Sequence, residues 1–172
     1  GRGLRLSGAR WNRIEDIFVS DGAVPIKTGG DIGRVIYADQ QESQDYIDHL
    51  VSTIGSDLAG LRILVDCANG AASATAARLF DRFPDLHTDV IHADPDGVNI
   101  NNGCGSTHLE QLKAMVKAGG YDLGIAFDGA ADRCPMADET GEEIDGDQVI
   151  PACGMDLKGK GELSGGAVVA TV

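Results

Sequence analysis

No apolar run in this chain approaches the length a bilayer-crossing helix needs, and the opening Gly1-Arg2-Gly3 lacks the charged-then-apolar order of a secretion signal. A cytoplasmic location without a membrane partner is the expectation. Basic residues are scarce, 14 Lys and Arg against 27 Asp and Glu, and the formal charge of -13 gives a field that repels nucleic acid and anionic lipid. A phosphorylated ligand therefore needs local help from a metal, an Arg or backbone N–H groups. The four cysteines, Cys67, Cys104, Cys134 and Cys153, contain no Cys-x-x-Cys pair. Their spacing suggests neither a zinc site nor a redox motif, and reduced core or loop residues are expected. Gly-x-x-x-x-Gly-Lys-Ser/Thr and Gly-x-Gly-x-x-Gly are both missing, so nucleotide binding has no specific support. An initiator Met is missing too, and the chain stops within the apolar Ala167-Val168-Val169-Ala170-Thr171-Val172, so a piece of a longer protein is expected.

What is present reads as alternating helices and strands. Trp11, Ile14, Ile17 and Phe18 recur at helical spacing and predict a short amphipathic helix over 8–19, with Ser7 at its start. A Gly-rich linker with Pro25 follows over 21–31. Tyr46, Ile47, Leu50, Val51 and Ile54 share one face of a second helix over 39–54. Strands are predicted at 61–66, 88–92, 123–127 and 167–172, with helices over 71–80, 108–118 and 145–157. Thr107 and Glu110 have capping-box spacing, Asp147 suits an N-cap, and residues 134–144 read as a hairpin whose Pro135 points to an edge strand or bulge. The expected architecture is an α/β fold, with a mostly parallel sheet covered by helices on both faces.

The most informative stretch is Phe127-Asp128-Gly129-Ala130-Ala131-Asp132-Arg133, directly after the apolar Leu123 to Phe127. It places two carboxylates and a guanidinium at the mouth of a buried strand, where open α/β sheets bind ligands. Such a set suits a hard cation that shares its shell with a phosphate; a polar turn capping a strand is the alternative. The Asn69-Gly70 turn leaves room for an anion to approach a helix start, or for tight packing. Asp94-Pro95-Asp96-Gly97-Val98-Asn99 has the spacing that opens a calcium loop, but the twelfth position is Gly105 rather than Glu, which favours a polar turn.

Taken together, several stretches resemble the α-D-phosphohexomutase family. They are Val65-Asp66-Cys67-Ala68-Asn69-Gly70-Ala71-Ala72, Asn99-Ile100-Asn101, Cys104-Gly105-Ser106-Thr107-His108, Phe127-Asp128-Gly129 through Asp132-Arg133, and Asp145-Gly146-Asp147-Gln148. The Cys104 to His108 stretch is similar to the branch that acts on glucosamine phosphates, and the resemblance runs from about residue 29 to 172. It implies a parent enzyme with four domains around one cleft, in which a phosphoserine exchanges a phosphoryl group with a phosphosugar. By the same resemblance, residues 1–36 are the end of the first domain with its linker, and 37–172 are the second, metal-binding domain. The nucleophile and sugar-recognition loops are not in the chain, so it carries no catalytic residue and its partners are the remaining domains and the phosphosugar. Gly161 to Gly166 superficially resembles the sugar loop, but lacks its His and reads as a surface turn.

The family's metal loop, Asp-Gly-Asp-x-Asp-Arg, assigns Asp128 and Asp132 as Mg²⁺ ligands and Arg133 as a phosphate contact. Ala130 stands where the third ligand belongs, and Pro135 and Pro151 also depart from the family pattern. Losing one carboxylate of three implies much weaker metal binding. A non-catalytic module that kept the fold and lost the cation is the alternative.

Overall fold

The structure, a computed structural model, describes residues 6–20, 26–35 and 40–170. The expected domain boundary at 36/37, the first part of the 21–31 linker and residues 171–172 lie outside them. The chain divides into two compact units, Gly1–Ala38 and Asp39–Val172. In the first unit, α1 runs over Gly8–Val19, and the Ser7 carbonyl accepts the N–H groups of Arg10 and Trp11 at 2.9 and 3.0 Å. The Ser7 side chain makes no capping bond, and none of α1's residues is buried.

The second unit begins with α2 (Gln40–Thr53), whose Ile47 is fully buried. Five strands follow: β1 (Arg62–Asp66), β2 (His87–Ile91), β3 (Leu123–Ala126), β4 (Met136–Asp138) and β5 (Glu143–Ile144). They form one sheet in the order β2-β1-β3-β4-β5. The first three are parallel, while β4 is antiparallel to both β3 and β5. The parallel part is thus the centre and one side of a mixed sheet.

Alternation along β1 builds two cores. Leu64 faces α4 (Glu110–Gly119) and packs with Leu109, Leu112 and Val116, whereas Ile63, Val65 and Cys67 face α3 (Ala76–Phe80) with Ala72 and Ala76. Helices therefore cover opposite faces, and each fully buried aliphatic side chain contributes roughly 1.5–3 kcal/mol. On the outside of α3, α2 is held by Arg78 donating to Ser43 and Gln44, both at 2.9 Å, and by the Arg82–Asp48 ion pair.

Several expectations are corrected. The helix predicted over 71–80 is broken into a 3-10 turn, Ala71–Ala74, and the short α3, because Thr75 leaves helical geometry (φ -127°). Thr107 does not cap α4; it ends the 3-10 turn Gly105–Thr107, and Leu109 takes the N-cap position with no side-chain bond. Pro135 lies neither on an edge strand nor within one. It precedes β4, which has neighbours on both sides, and its carbonyl accepts the Ala126 N–H at 3.0 Å.

The last helix, α5 (Gly146–Gly159), starts within the expected Asp145-Gly146-Asp147 stretch, but its N-cap is Asp145 rather than Asp147, in a reciprocal capping box with Gln148. Pro151 consequently falls in its second turn, where the missing N–H leaves the Asp147 carbonyl without a helical donor. Finally, the strand expected at 167–172 is not formed over residues 167–170, which follow the 3-10 turn Ser164–Gly166 and lie outside the sheet, although Ala167 itself is extended.

Candidate functional site

Three loops leave the carboxyl ends of the parallel strands on one edge of the sheet: 67–70 after β1, 92–109 after β2 and 127–135 after β3. The crossover through α3 leads to one side of β1 and the crossover through α4 to the other, so the β1/β3 edge is the switch point where open α/β sheets hold ligands. All five non-glycine residues with left-handed backbone among the described residues lie here: Ala68, Asn69, His92, Asn101 and Ala131. Such conformations persist only where the surroundings enforce them, and they concentrate at functional sites.

The enforcement is a mesh of backbone bonds. Ala71 donates to the Gly129 carbonyl at 2.9 Å, Asn101 to that of Ala68 at 2.9 Å, Asn69 to that of His92 at 2.6 Å and Ser106 to that of Phe127 at 3.0 Å. Asn101 Oδ1 accepts the Gly129 N–H at 2.9 Å. Two glycines are explained by contact. A Cβ on Gly129 would stand 2.6 Å from Ile100, and one on Gly105, whose φ is +75°, would meet the Phe127 carbonyl at 2.6 Å. The glycine of the Asp-Gly loop thus serves close packing of the loops.

Asp128 is half-buried, and its Oδ1 accepts the N–H groups of Asp132 at 3.0 Å and Arg133 at 3.2 Å. Burial pushes its pKa up, but these N–H groups and the adjacent Asp132 side chain outweigh it and hold the carboxyl below its usual value. The structure therefore brings Asp128 and Asp132 together. Mg²⁺ takes one or two carboxylates and keeps several waters, so this pair fits the ion as a sparse site. Ala130 offers no side-chain oxygen; with Ala131 it lines an apolar cleft of about 330 Å³ beside Tyr46, Leu50, Phe80 and Phe127.

Arg133 is exposed and makes no ion pair among the described residues. It lines a separate cleft of about 390 Å³ with Ser106, Glu143, Asp145 and Gly146, the last two at the start of α5. The Asp94 to Asn99 stretch closes mostly on itself: Asp96 Oδ1 accepts the N–H groups of Val98 and Asn99, both at 2.8 Å, and Asn99 closes back on Asp96 and Asp94, while Asn69 Oδ1 accepts the Asp94 N–H at 3.2 Å from outside the turn. It is the polar turn.

One grouping was not legible in the sequence. Asp66, His92 and Cys104 each present a ligand atom, all within 4.8 Å of one another. No spacing rule joins them, because the pairing of Asp66 with Ile91 in the sheet register brings them together.

An α/β domain with a carboxylate loop at the switch point of its sheet is what these features define. Residues 44–141 match phosphoglucomutase/phosphomannomutase, alpha/beta/alpha domain II, and the chain belongs to that family. It is 48% identical over 99% of its length to a phosphoglucosamine mutase of Clostridium acetobutylicum, and 47% identical over all of it to one of Symbiobacterium thermophilum. In both cases it spans 38% of the relative's length. Among solved structures, a phosphoglucomutase/phosphomannomutase family protein of Burkholderia thailandensis matches with a TM-score of 0.60 and 28% identity, over 69% of this chain and 26% of that one.

Proposed function

We propose that the chain is the metal-binding domain, with the tail of the preceding domain over residues 1–36, of a phosphoglucosamine mutase. The observation that carries this reading is the 42–48% identity to enzymes of that name along essentially the whole chain. The parent would interconvert glucosamine 6-phosphate and glucosamine 1-phosphate through a phosphoserine on a domain outside this chain. Phosphoryl transfer of this kind asks the protein for positioning and charge neutralisation more than for covalent chemistry. Asp128 and Asp132 would hold Mg²⁺, which when bound supplies positive charge beside the phosphate. Arg133, exposed at a cleft wall, would take a phosphate oxygen pair. The partners are the phosphosugar and the remaining domains of the parent.

A second reading is favoured by Ala130 on its apolar cleft: a module of the same fold in which metal binding has weakened or gone. Titration of the chain with Mg²⁺ and Mn²⁺ beside Ala130→Asp separates the two. Under the first reading the unmodified chain binds and the variant binds more tightly; saturation of the variant alone supports the second. For the parent, turnover of glucosamine phosphates is compared with glucose phosphates, and preference for the latter rejects the substrate assignment.

A further inference from the structure

Behind the carboxylate loop, on other residues, lies a second set of donors. His92 Nδ1 stands 3.1 Å from Asp66 Oδ1, yet the two are not aligned for a hydrogen bond, and Nδ1 is buried without a hydrogen-bond partner. A buried ring nitrogen in that state is costly unless something completes it. Asp66 is 1% exposed; its Oδ1 accepts the Ala68 N–H at 2.8 Å and its Oδ2 the Gly105 N–H at 2.9 Å. A carboxylate has about four lone-pair positions, so two remain for another partner. Cys104, also 1% exposed, has the Asn69 amide 4.0 Å from its sulfur, a weak contact that leaves the sulfur available. His92 holds a left-handed backbone (φ +49°), and Cys104 is extended (φ -147°) just before the left-handed Gly105 whose N–H binds Asp66.

We infer that Asp66, His92 and Cys104 form a site for a borderline divalent transition ion, Zn²⁺ before others, with a fourth position open to water. Imidazole, thiolate and carboxylate together are the ligand types of zinc, whereas Mg²⁺ prefers oxygen alone. The charges balance: one carboxylate and one thiolate neutralise the ion. Binding places the Nδ1 lone pair of neutral His92 on the metal, with the ring proton on Nε2, and releases the Cys104 thiol proton to solvent. The N–H groups of Ala68 and Gly105 hold the carboxylate in place, as outer-shell donors do at metal sites. The His92 side chain is 24% exposed and marks the way in.

Co²⁺ is the probe, because its charge-transfer absorption reports a bound thiolate. The chain is used with the exposed Cys134 and Cys153 changed to Ser, so that neither competes. One Co²⁺ per chain with the thiolate band is expected, displaced by Zn²⁺ and indifferent to excess Mg²⁺. Cys104→Ser and His92→Gln are each expected to weaken Zn²⁺ at least about tenfold. Far-UV circular dichroism confirms that each variant is folded; if Cys104→Ser is not, the partly exposed His92→Gln decides. A missing thiolate band, a band that persists in a folded Cys104→Ser chain, or undiminished Zn²⁺ affinity in a folded His92→Gln chain overturns the assignment.

Discussion

Gly70 and Gly129 meet backbone to backbone: a Cβ on Gly70 would lie 2.5 Å from the Gly129 Cα and 2.5 Å from its carbonyl oxygen. Backbone cannot swing aside as a side-chain tip can. Gly70→Ala is therefore expected to destabilise the chain by about 1–3 kcal/mol, the usual cost of overpacking. Because Gly70 has φ -115°, a conformation open to alanine, the effect is one of space rather than backbone preference. Urea unfolding measures it, and an unchanged midpoint would show that the two loops do not press together.

A pH dependence follows from Tyr121 and Asp89. The Tyr121 hydroxyl donates to Asp89 Oδ2 at 2.5 Å, and His87 stands 3.2 Å from the same carboxylate. The Tyr121 hydroxyl, chiefly, holds the Asp89 pKa below its ordinary value, and the Asp89 carboxylate raises that of Tyr121. The contribution of a depressed carboxyl is complete above the free value near 3.9 and is lost as pH falls through the lower folded value. That of a raised phenol is complete below about 10 and is lost as pH climbs through the higher folded value. The stability gap between the natural chain and Tyr121→Phe should be widest between these limits and shrink beyond both. Parallel melting curves from acid to strong base would contradict the pairing.

Thiol chemistry should divide the cysteines two and two. Cys67 and Cys104 are buried, and burial followed by the Asp66 charge pushes both thiols up, Cys67 to about 11. Cys134 and Cys153 are exposed; local desolvation pushes the Cys134 thiol up as well, so open access is what sets it apart from the buried pair. At pH 8 a thiol of pKa 11 has some hundredfold less thiolate than an ordinary one, before access is counted. An aromatic disulfide reagent is expected to release two equivalents from the folded chain and four after denaturation. Four fast equivalents without denaturant would place Cys67 or Cys104 at the surface.

Local pattern carried much of this fold. The helical spacing of Trp11, Ile14 and Ile17 marked α1, and the apolar stretch before Asp128 marked β3. Chain ends of elements were less legible, since several residues can serve: Asp145 and Asp147 are equally good caps in isolation, and only the partner Gln148 three residues on selects Asp145. The apolar 167–170 segment has strand composition, but composition does not supply a neighbour to pair with. At the site, Asp128, Asp132 and Arg133 could be read off one loop. That Arg133 lines a different cleft from Ala130 could not, because it depends on which neighbouring elements each end of the loop packs beside. Asp66, His92 and Cys104 were invisible for the same reason that sheet register is: parallel pairing joins residues far apart in the chain.

Gly105 gives the Cys-Gly-Ser-Thr-His stretch a mechanical meaning. Its missing side chain lets the backbone before Thr107 and His108 lie against Phe127, one residue from Asp128. A group gripped at the exposed Thr107 or His108 and an ion held at Asp128 would then be kept at a set spacing, with the backbone between them acting as a ruler.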